Sequence, residues 1–325
     1  MSQKIVFSEY GAPEVLTLKE VPIPVPDAGQ VVVRNHAVGL NFIETYVRSG
    51  LYPVPSLPSG LGTEGAGVVE ALGEGVQGFN IGDRVAYATG PQGAYATHHV
   101  LAPEHLVKIP DAISFEQAAA MLLKGLTVQY LFCQTHVLKA GEMVLFHAAA
   151  GGVGSFACQW AKAIGAKLIG VVSSPQKKAK ALSLGAWACI DTSCEDVVSR
   201  VKELTGGQKC SVVYDSVGKN TWPISLDCVA TRGLLVSFGN ASGPVTDVNL
   251  GVLAQKGSLY VTRPTLATYA ADPHNLQKMA DELFAMVASG AVNVEIGQRY
   301  GLADVVTAHR ELAGRQTMGA SVLLP

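Results

Sequence analysis

Hydrophobic positions fall into two textures along the chain. Before Ser114 they come as short β-branched runs broken by glycine and proline, as in "QVVVRNHAVGLN", "GAGVVEALGEGV", "GDRVAYA" and "HLVKIP". Runs of this kind between turn residues predict the strands of a partly closed antiparallel β unit. "EVPIPVPDAGQ" has too many prolines for a central strand, because proline donates nothing to a ladder, and it reads as an edge or connector. At Ser114 the texture changes. "SFEQAAAMLLKGLTVQYLF" opens with Ser114 and Gln117 at capping-box spacing, and an alanine-rich helix is expected from about Phe115.

From there to about Thr262, strand-like and helix-like segments alternate. The strands are expected at "MVLFH" (143–147), "KLIGVV" (167–172), "WACID" (187–191), "SVVYD" (211–215), "GLLVSF" (233–238) and "SLYVT" (258–262). Six strands joined by crossovers predict a doubly wound parallel sheet. Beyond Arg263, "NLQKMADELFAMVASG" sets Leu276, Met279, Leu283, Met286 and Val287 at helical spacing and Gly290 as a stop. A short strand, a helix near "ADVVTAHRELAG" and a final strand "ASVLLP" follow. This tail is too small for a third domain and is expected to return to complete the first.

The length of 325 residues suits two domains. A 15% share of charged residues against 48% hydrophobic favours a compact α/β enzyme over a disordered or fibrous chain. A net charge of −2 argues against a nucleic-acid partner. "MSQKIVFSEYGAPEVL" lacks the apolar core and cleavage site of a signal peptide, and the most apolar stretch, around Met143 to Ala157, is interrupted by His147 and glycines. The expectation is a soluble, cytoplasmic protein. Cys133, Cys158, Cys189, Cys194, Cys210 and Cys228 form no C-x-x-C pair and read as small hydrophobes in a reducing compartment.

Candidate chemistry begins at "HAAAGGVG" (147–154), between an expected strand and the helix "SFACQWAKAIGA". Against G-x-G-x-x-G the positions are Ala149, Gly151 and Gly154. Gly151 would let the backbone approach a pyrophosphate, Gly154 would let helix and strand pack closely, and the helix N-terminus would supply N–H donors. Ala149 is tolerable if its φ is negative. An acid that bonds the ribose 2′-hydroxyl of NAD is usual about 20 residues on. Here the second strand ends in "VVSSPQKK", with no carboxylate before Asp191. Ser173 and Ser174 can donate hydrogen bonds and Lys177 adds positive charge, whereas Lys178 reads as a solvated face. A 2′-phosphate is favoured, hence NADPH.

These strings, with "GLNFIETYVRSGLYP" (39–53), "LPSGLGTEGAGVV" (57–69), "LLKGLTVQYL" (122–131), "VVYDSVG" (212–218), "VSFGNASG" (236–243) and "VTRPTL" (261–266), resemble the medium-chain dehydrogenase/reductase superfamily. Within it they are most similar to its zeta-crystallin-like NADPH:quinone oxidoreductases. The resemblance implies a GroES-like β-barrel catalytic domain (1–125 and 264–325), a Rossmann NADPH-binding domain (126–263), a cleft between them and a homodimer. Position by position, it implies that Asn41 and Tyr46 lie beside the nicotinamide end and that Thr127 contacts the ring. Gly151, Gly152 and Val153 meet the pyrophosphate, and Ser173 and Lys177 hold the 2′-phosphate. Ser216 lies near the adenosine ribose, Phe238 and Asn240 approach the nicotinamide side, and Arg263 lines the cofactor site. Thr192 departs from the pattern, since an aromatic residue there would pack on the adenine.

Zinc members of the superfamily carry a cysteine in the first cleft loop and a histidine in a "GHE" string. Here the loop has Asn41 and Phe42, and Thr63 stands in "GTE", so no metal is expected. Without a Lewis acid an alcohol is a poor hydride donor. The expected acceptor is therefore already electron-poor, a quinone, which takes hydride or electrons from NADPH, with a proton from solvent or from Tyr46 or Tyr52. Asn41, Tyr46 and Tyr52 are the candidate catalytic residues. The alternatives are reduction of α,β-unsaturated carbonyls and a non-catalytic NADPH- or RNA-binding role of the kind some zeta-crystallin relatives have. No Ser/His/Asp or paired-carboxylate constellation is legible.

Overall fold

A computed structural model describes every residue of the chain except Arg315. It divides into two compact units, one formed by Met1–Leu126, Tyr269–Ala288 and Val294–Pro325, the other by Thr127–Thr268 and Ser289–Asn293.

The first unit is organised around one long strand, Val31–Leu40. It pairs antiparallel with Gly65–Leu72, His98–Leu101 and the C-terminal strand Ala320–Leu324. Ala320–Leu324 also pairs, in parallel, with Ile296–Gly301. Gly65–Leu72 continues to Arg84–Tyr87, and that strand to Val107–Lys108. Register shifts at Val32/Val33 and Asn35/Ala37 let the long strand bend and serve several partners. Its residues are buried nearly without alternation, and Ile5, Phe7, Val31, Val33, Leu61, Tyr95 and Leu323 meet in one core.

The sequence pattern did not reveal the small sheet Thr17–Val21, Ser2–Phe7 and Ser59–Gly60. The proline-rich stretch behaves as an edge and connector: its strand ends at Val21, and residues 22–30 are irregular. The helix Phe42–Ser49 was missed as well. It opens with a capping box between Asn41 and Glu44 and stops at Gly50, φ 82°. In the helix Pro273–Ala288, Leu276, Met279 and Leu283 are buried as expected. Met286 and Val287, in the last turn, are only half-buried.

The second unit is a six-stranded parallel sheet in the order Ala188–Asp191, Lys167–Val172, Met143–His147, Cys210–Asp215, Val229–Ser237, Tyr260–Thr262. The first strand in the chain lies centrally, and the winding reverses beside it. Before the sheet, the helix Phe115–Tyr130 starts where expected: Ser114 Oγ accepts from Gln117 N–H at 3.1 Å, and Gln117 Oε1 accepts from Ser114 N–H at 3.0 Å. The fifth strand begins earlier than its apolar run because Arg232 takes φ 61° and the ladder with its neighbour slips there. That bulge hides Val229–Thr231 from an alternation reading. No helix among the described residues is long and apolar enough to cross a membrane.

Candidate functional site

In a parallel sheet all strands end on one edge, and the expected cofactor residues follow those ends. Gly151–Val153 follow the central strand, Ser173 and Lys177 the second, Thr192 the third, Ser216 the fourth, Phe238 and Asn240 the fifth, and Arg263 the sixth. Thr127 is buried in the helix Phe115–Tyr130, at the start of the unit.

The glycine turn has a specific build. The residue with positive φ is Ala148 (54°), not Ala149, so alanine at the usual first-glycine position is unstrained. Its methyl is accommodated by the next strand, where a Cβ on Gly170 would come within 2.7 Å of Ala149 Cβ. A Cβ on Gly154 would stand 2.4 Å from the Ala148 carbonyl oxygen, so the helix Gly152–Ile164 packs directly against the turn. The thirteen-residue helix has no acid in its first turn, which leaves its N-terminal N–H groups suited to a pyrophosphate. At the neighbouring strand ends, a Cβ on Gly239 would be 2.3 Å from Ser216 O.

At the end of the second strand the side chains divide their work. Ser174 Oγ accepts from Lys177 N–H at 3.3 Å and caps the helix Pro175–Ser183. Lys178 is not merely a solvated face, because its ammonium is 2.6 Å from Glu195 Oε1. Ser173 is exposed and Lys177 half-buried. The nearest carboxylate in sequence, Asp191, is buried and accepts from Ser193 N–H (3.0 Å) and Oγ–H (2.8 Å) in its own turn. Thr192 N–H donates to Val172 O at 2.9 Å. The sequence has no carboxylate between Ser173 and Asp191, and the hydroxyl of Ser173 and the charge of Lys177 fit a 2′-phosphate.

The structure does assemble a Ser/His/Asp trio that the sequence concealed. Ser225 Oγ donates to Asp215 Oδ2 at 2.7 Å and lies 3.0 Å from His147 Nε2. Ser225 is fully buried and gives its proton to the carboxylate, so the trio is a brace and not a nucleophile. Asp215 Oδ1 also accepts from Val217 N–H and Gly218 N–H. The brace ties the glycine turn to the loop that carries Ser216. Phe238 N–H donates to Asp215 O at 2.8 Å, its ring lies 5.6 Å from that of Phe146, and Arg263 Nη1 donates to Ser237 O at 2.8 Å.

In the first unit, Asn41 caps the helix that carries Tyr46, and Tyr46 and Tyr52 meet edge to face at 5.3 Å. Around Asn41 lies a paired-carboxylate cluster that the sequence reading lacked. Glu44 and Glu64 are completely buried, and Lys124 is 5% exposed. Asn41 Nδ2 donates to Glu64 Oε2 at 2.7 Å, Lys124 Nζ donates to Asn41 Oδ1 at 2.5 Å, and the ammonium is 3.5 Å from Glu64 Oε2. Glu44 Oε2 accepts from Asn41 N–H at 2.7 Å, and Thr63 Oγ1 is 3.2 Å from Glu44 Oε1. Burial, then the charge of Glu64, pushes Glu44 up to about 8; burial also raises Glu64, against Lys124, Asn41 and Leu123 N–H. Two signals were present in the sequence: Asn41 and Glu44 at capping-box spacing, and a lone lysine inside "AAAMLLKGLTV". Among the described residues no three His, Cys, Asp or Glu side chains are grouped so that they could hold a metal.

A glycine turn on the central strand of a doubly wound sheet, next in the chain to an antiparallel β unit, defines a medium-chain dehydrogenase/reductase. The family model of the alcohol dehydrogenase GroES-like domain matches residues 27–111, and that of zinc-binding dehydrogenases matches 152–285. A quinone oxidoreductase of Pseudomonas aeruginosa is 64% identical over 325 residues, covering 100% of both chains. The crystal structure of Escherichia coli quinone oxidoreductase complexed with NADPH superposes with a TM-score of 0.98 at 54% identity, covering 99% of this chain and 100% of that one. A 2-haloacrylate reductase from Burkholderia is 40% identical over 335 residues, covering 100% of this chain and 99% of its own. The chain belongs to the quinone oxidoreductase family and is an oxidoreductase.

Proposed function

We propose that this protein is a zinc-independent NADPH:quinone oxidoreductase. The full-length identity of 64% to a quinone oxidoreductase carries the reading. It is supported by the acid-free end of the second strand, with Ser173 and half-buried Lys177 placed for a 2′-phosphate. When bound, NADPH supplies the hydride. Gly151, Gly152 and Val153 give the pyrophosphate a close backbone approach and a helix N-terminus. Thr192, Ser216, Phe238, Asn240 and Arg263 complete the row along the strand ends, and Thr127 faces the ring. Asn41 and Tyr46 orient the nicotinamide end, with Tyr52 beside the acceptor. Positioning of this kind is the main catalytic demand when the acceptor is already electron-poor.

The test is the loss of reduced-nicotinamide absorbance with 1,4-benzoquinone, run with NADPH and with NADH, beside a simple enone. Fast turnover only with NADPH and quinone is expected. Faster turnover with NADH would mean that Ser173 and Lys177 do not select the phosphate. Reduction of α,β-unsaturated carbonyls is the second reading, favoured by the 40% identity to a 2-haloacrylate reductase, and a saturated carbonyl product would establish it.

The partner is a second copy of the chain. The sheet of the second unit ends in Tyr260–Thr262, whose Tyr260 and Val261 are 62% and 37% exposed, and an exposed apolar edge strand is a ready pairing surface. A cytoplasmic location suits the buried thiols of Cys158, Cys189, Cys210 and Cys228. A net charge of −2 leaves nucleic acid outside the proposal.

A further inference from the structure

The cluster around Asn41 contains more acid than its position requires. Two fully buried carboxyl groups, Glu44 and Glu64, share a single ammonium, that of Lys124. Two bare carboxylates and one cation would leave a net negative charge out of water, which the site avoids by keeping one proton. The hydrogen bonds assign that proton. Glu64 Oε1 accepts from Leu123 N–H at 2.7 Å, and its Oε2 faces both Asn41 Nδ2 at 2.7 Å and Lys124 Nζ at 3.5 Å. Glu64 is therefore the ionised partner. A Cβ on Gly39 would stand 2.1 Å from Glu64 Oε2, so backbone seals it on that side.

Glu44 Oε2 accepts from Asn41 N–H at 2.7 Å, and the carboxyl is also favoured by its own backbone N–H. Its Oε1 has only the Thr63 hydroxyl within the bonds described, at 3.2 Å. A hydroxyl accepts as readily as it donates, so Glu44 Oε1–H can give its proton to Thr63 Oγ1. Thr63 is half-buried whereas Glu44 is fully buried, so the hydroxyl contacts the sealed acid from a residue that itself reaches solvent. It shares Glu44 with Asn41, the residue proposed to lie beside the reacting ring.

We infer that Glu44 stores the proton taken up by the reduced substrate and that the Thr63 hydroxyl passes it on; this rests on the quinone-reductase reading. A hydride taken up by the quinone, as the nicotinamide is oxidised, leaves a hydroquinone monoanion. Its oxygen takes the Thr63 Oγ–H proton while Thr63 Oγ takes the proton of Glu44. The products are a neutral hydroquinone and a Glu44 carboxylate, which water reprotonates through the same hydroxyl. Thr63 is the catalytic residue of this step and Glu44 a positioning residue that acts through it. The ionisable groups acting on Glu44 are Glu64 and Lys124. Tyr95, whose hydroxyl is 3.3 Å from His309 Nε2, feels the charge of Glu44 in turn.

Two measurements test the inference on Glu44→Gln, Thr63→Val and Thr63→Ser. The first is thermal stability against pH, without cofactor or substrate. The folded-state value of Glu44, about 8, lies above that of an unfolded glutamate, so its stabilising contribution is present at low pH and is lost as pH rises through about 8. The wild type should lose stability as pH rises from the ordinary glutamate range to about 8, and Glu44→Gln should flatten that slope. The second is the pH profile of kcat with NADPH and benzoquinone. The wild type should fall above about pH 8. Glu44→Gln and Thr63→Val should be slower by about 100-fold, the lower end of general-acid effects, and Thr63→Ser should recover most of the rate. If Thr63→Val, or a folded Glu44→Gln, keeps the wild-type rate and profile, the relay is overturned while the quinone-reductase reading stands. A wild type that oxidises no NADPH with quinone overturns both. Should Glu44→Gln not fold, Thr63→Val decides.

Discussion

The glycine turn at 148–154 and the buried cluster of Glu44, Glu64 and Lys124 are built from opposite materials. In the turn, the proposed function is a place on the backbone. Side chains matter there chiefly by being small: Gly154 admits the helix to the Ala148 carbonyl, and Gly170 leaves room for the methyl of Ala149. In the cluster, the proposed function rests on a set of polar atoms on Glu44, Glu64, Asn41, Thr63 and Lys124, held in place by one another. A backbone site fails by steric exclusion. A buried polar site fails when a charge loses its partner.

Substitutions can break this contrast. The largest effect is expected from Lys124→Met, which keeps the length of the side chain and removes the only ammonium beside Glu64 in the bonds described. Stripping one partner from a buried ion pair costs about 3–5 kcal/mol. Denaturant unfolding should show a loss of that size; a loss under ~1 kcal/mol would mean that the cluster is not held by charge.

Gly170→Ala should cost less, about 1–3 kcal/mol, because its new methyl meets that of Ala149. Adding Ala149→Gly should restore most of the stability, since the double variant moves the methyl from one strand end to the other. Additive losses, measured by the same unfolding, would show that the two positions do not share space. Lys177→Ala sharpens the contrast from the other side. It should weaken NADPH about tenfold, ~1.4 kcal/mol, and leave NADH nearly unchanged in a fluorescence titration. Equal weakening of both would assign Lys177 to the fold of its helix.

The two regions also differed in how far they could be read in advance. The turn lies within one continuous string, "HAAAGGVG", between a strand and a helix, so its geometry follows from local chain stiffness and glycine placement. The acid-free strand end proposed to select NADPH is equally local. The cluster draws on segments around 41–44, 63–64 and 123–124. Within each segment the polar residues have no partner adjacent in the chain that would mark them as one cluster. The Asp215–Ser225–His147 brace was hidden for the same reason, its members lying 10 and 78 residues apart.

What the sequence determined by itself is therefore the sheet, its winding, its glycine turn and the family, because each depends on periodicity or on residues adjacent in the chain. Tertiary structure decided which buried polar groups share hydrogen bonds and charge, how the Val31–Leu40 strand gathers its partners, and why alanine is tolerated at position 149. These depend on distances between segments remote in sequence. The cost of burying a charge, and the space left by an absent side chain, exist only once those segments have met.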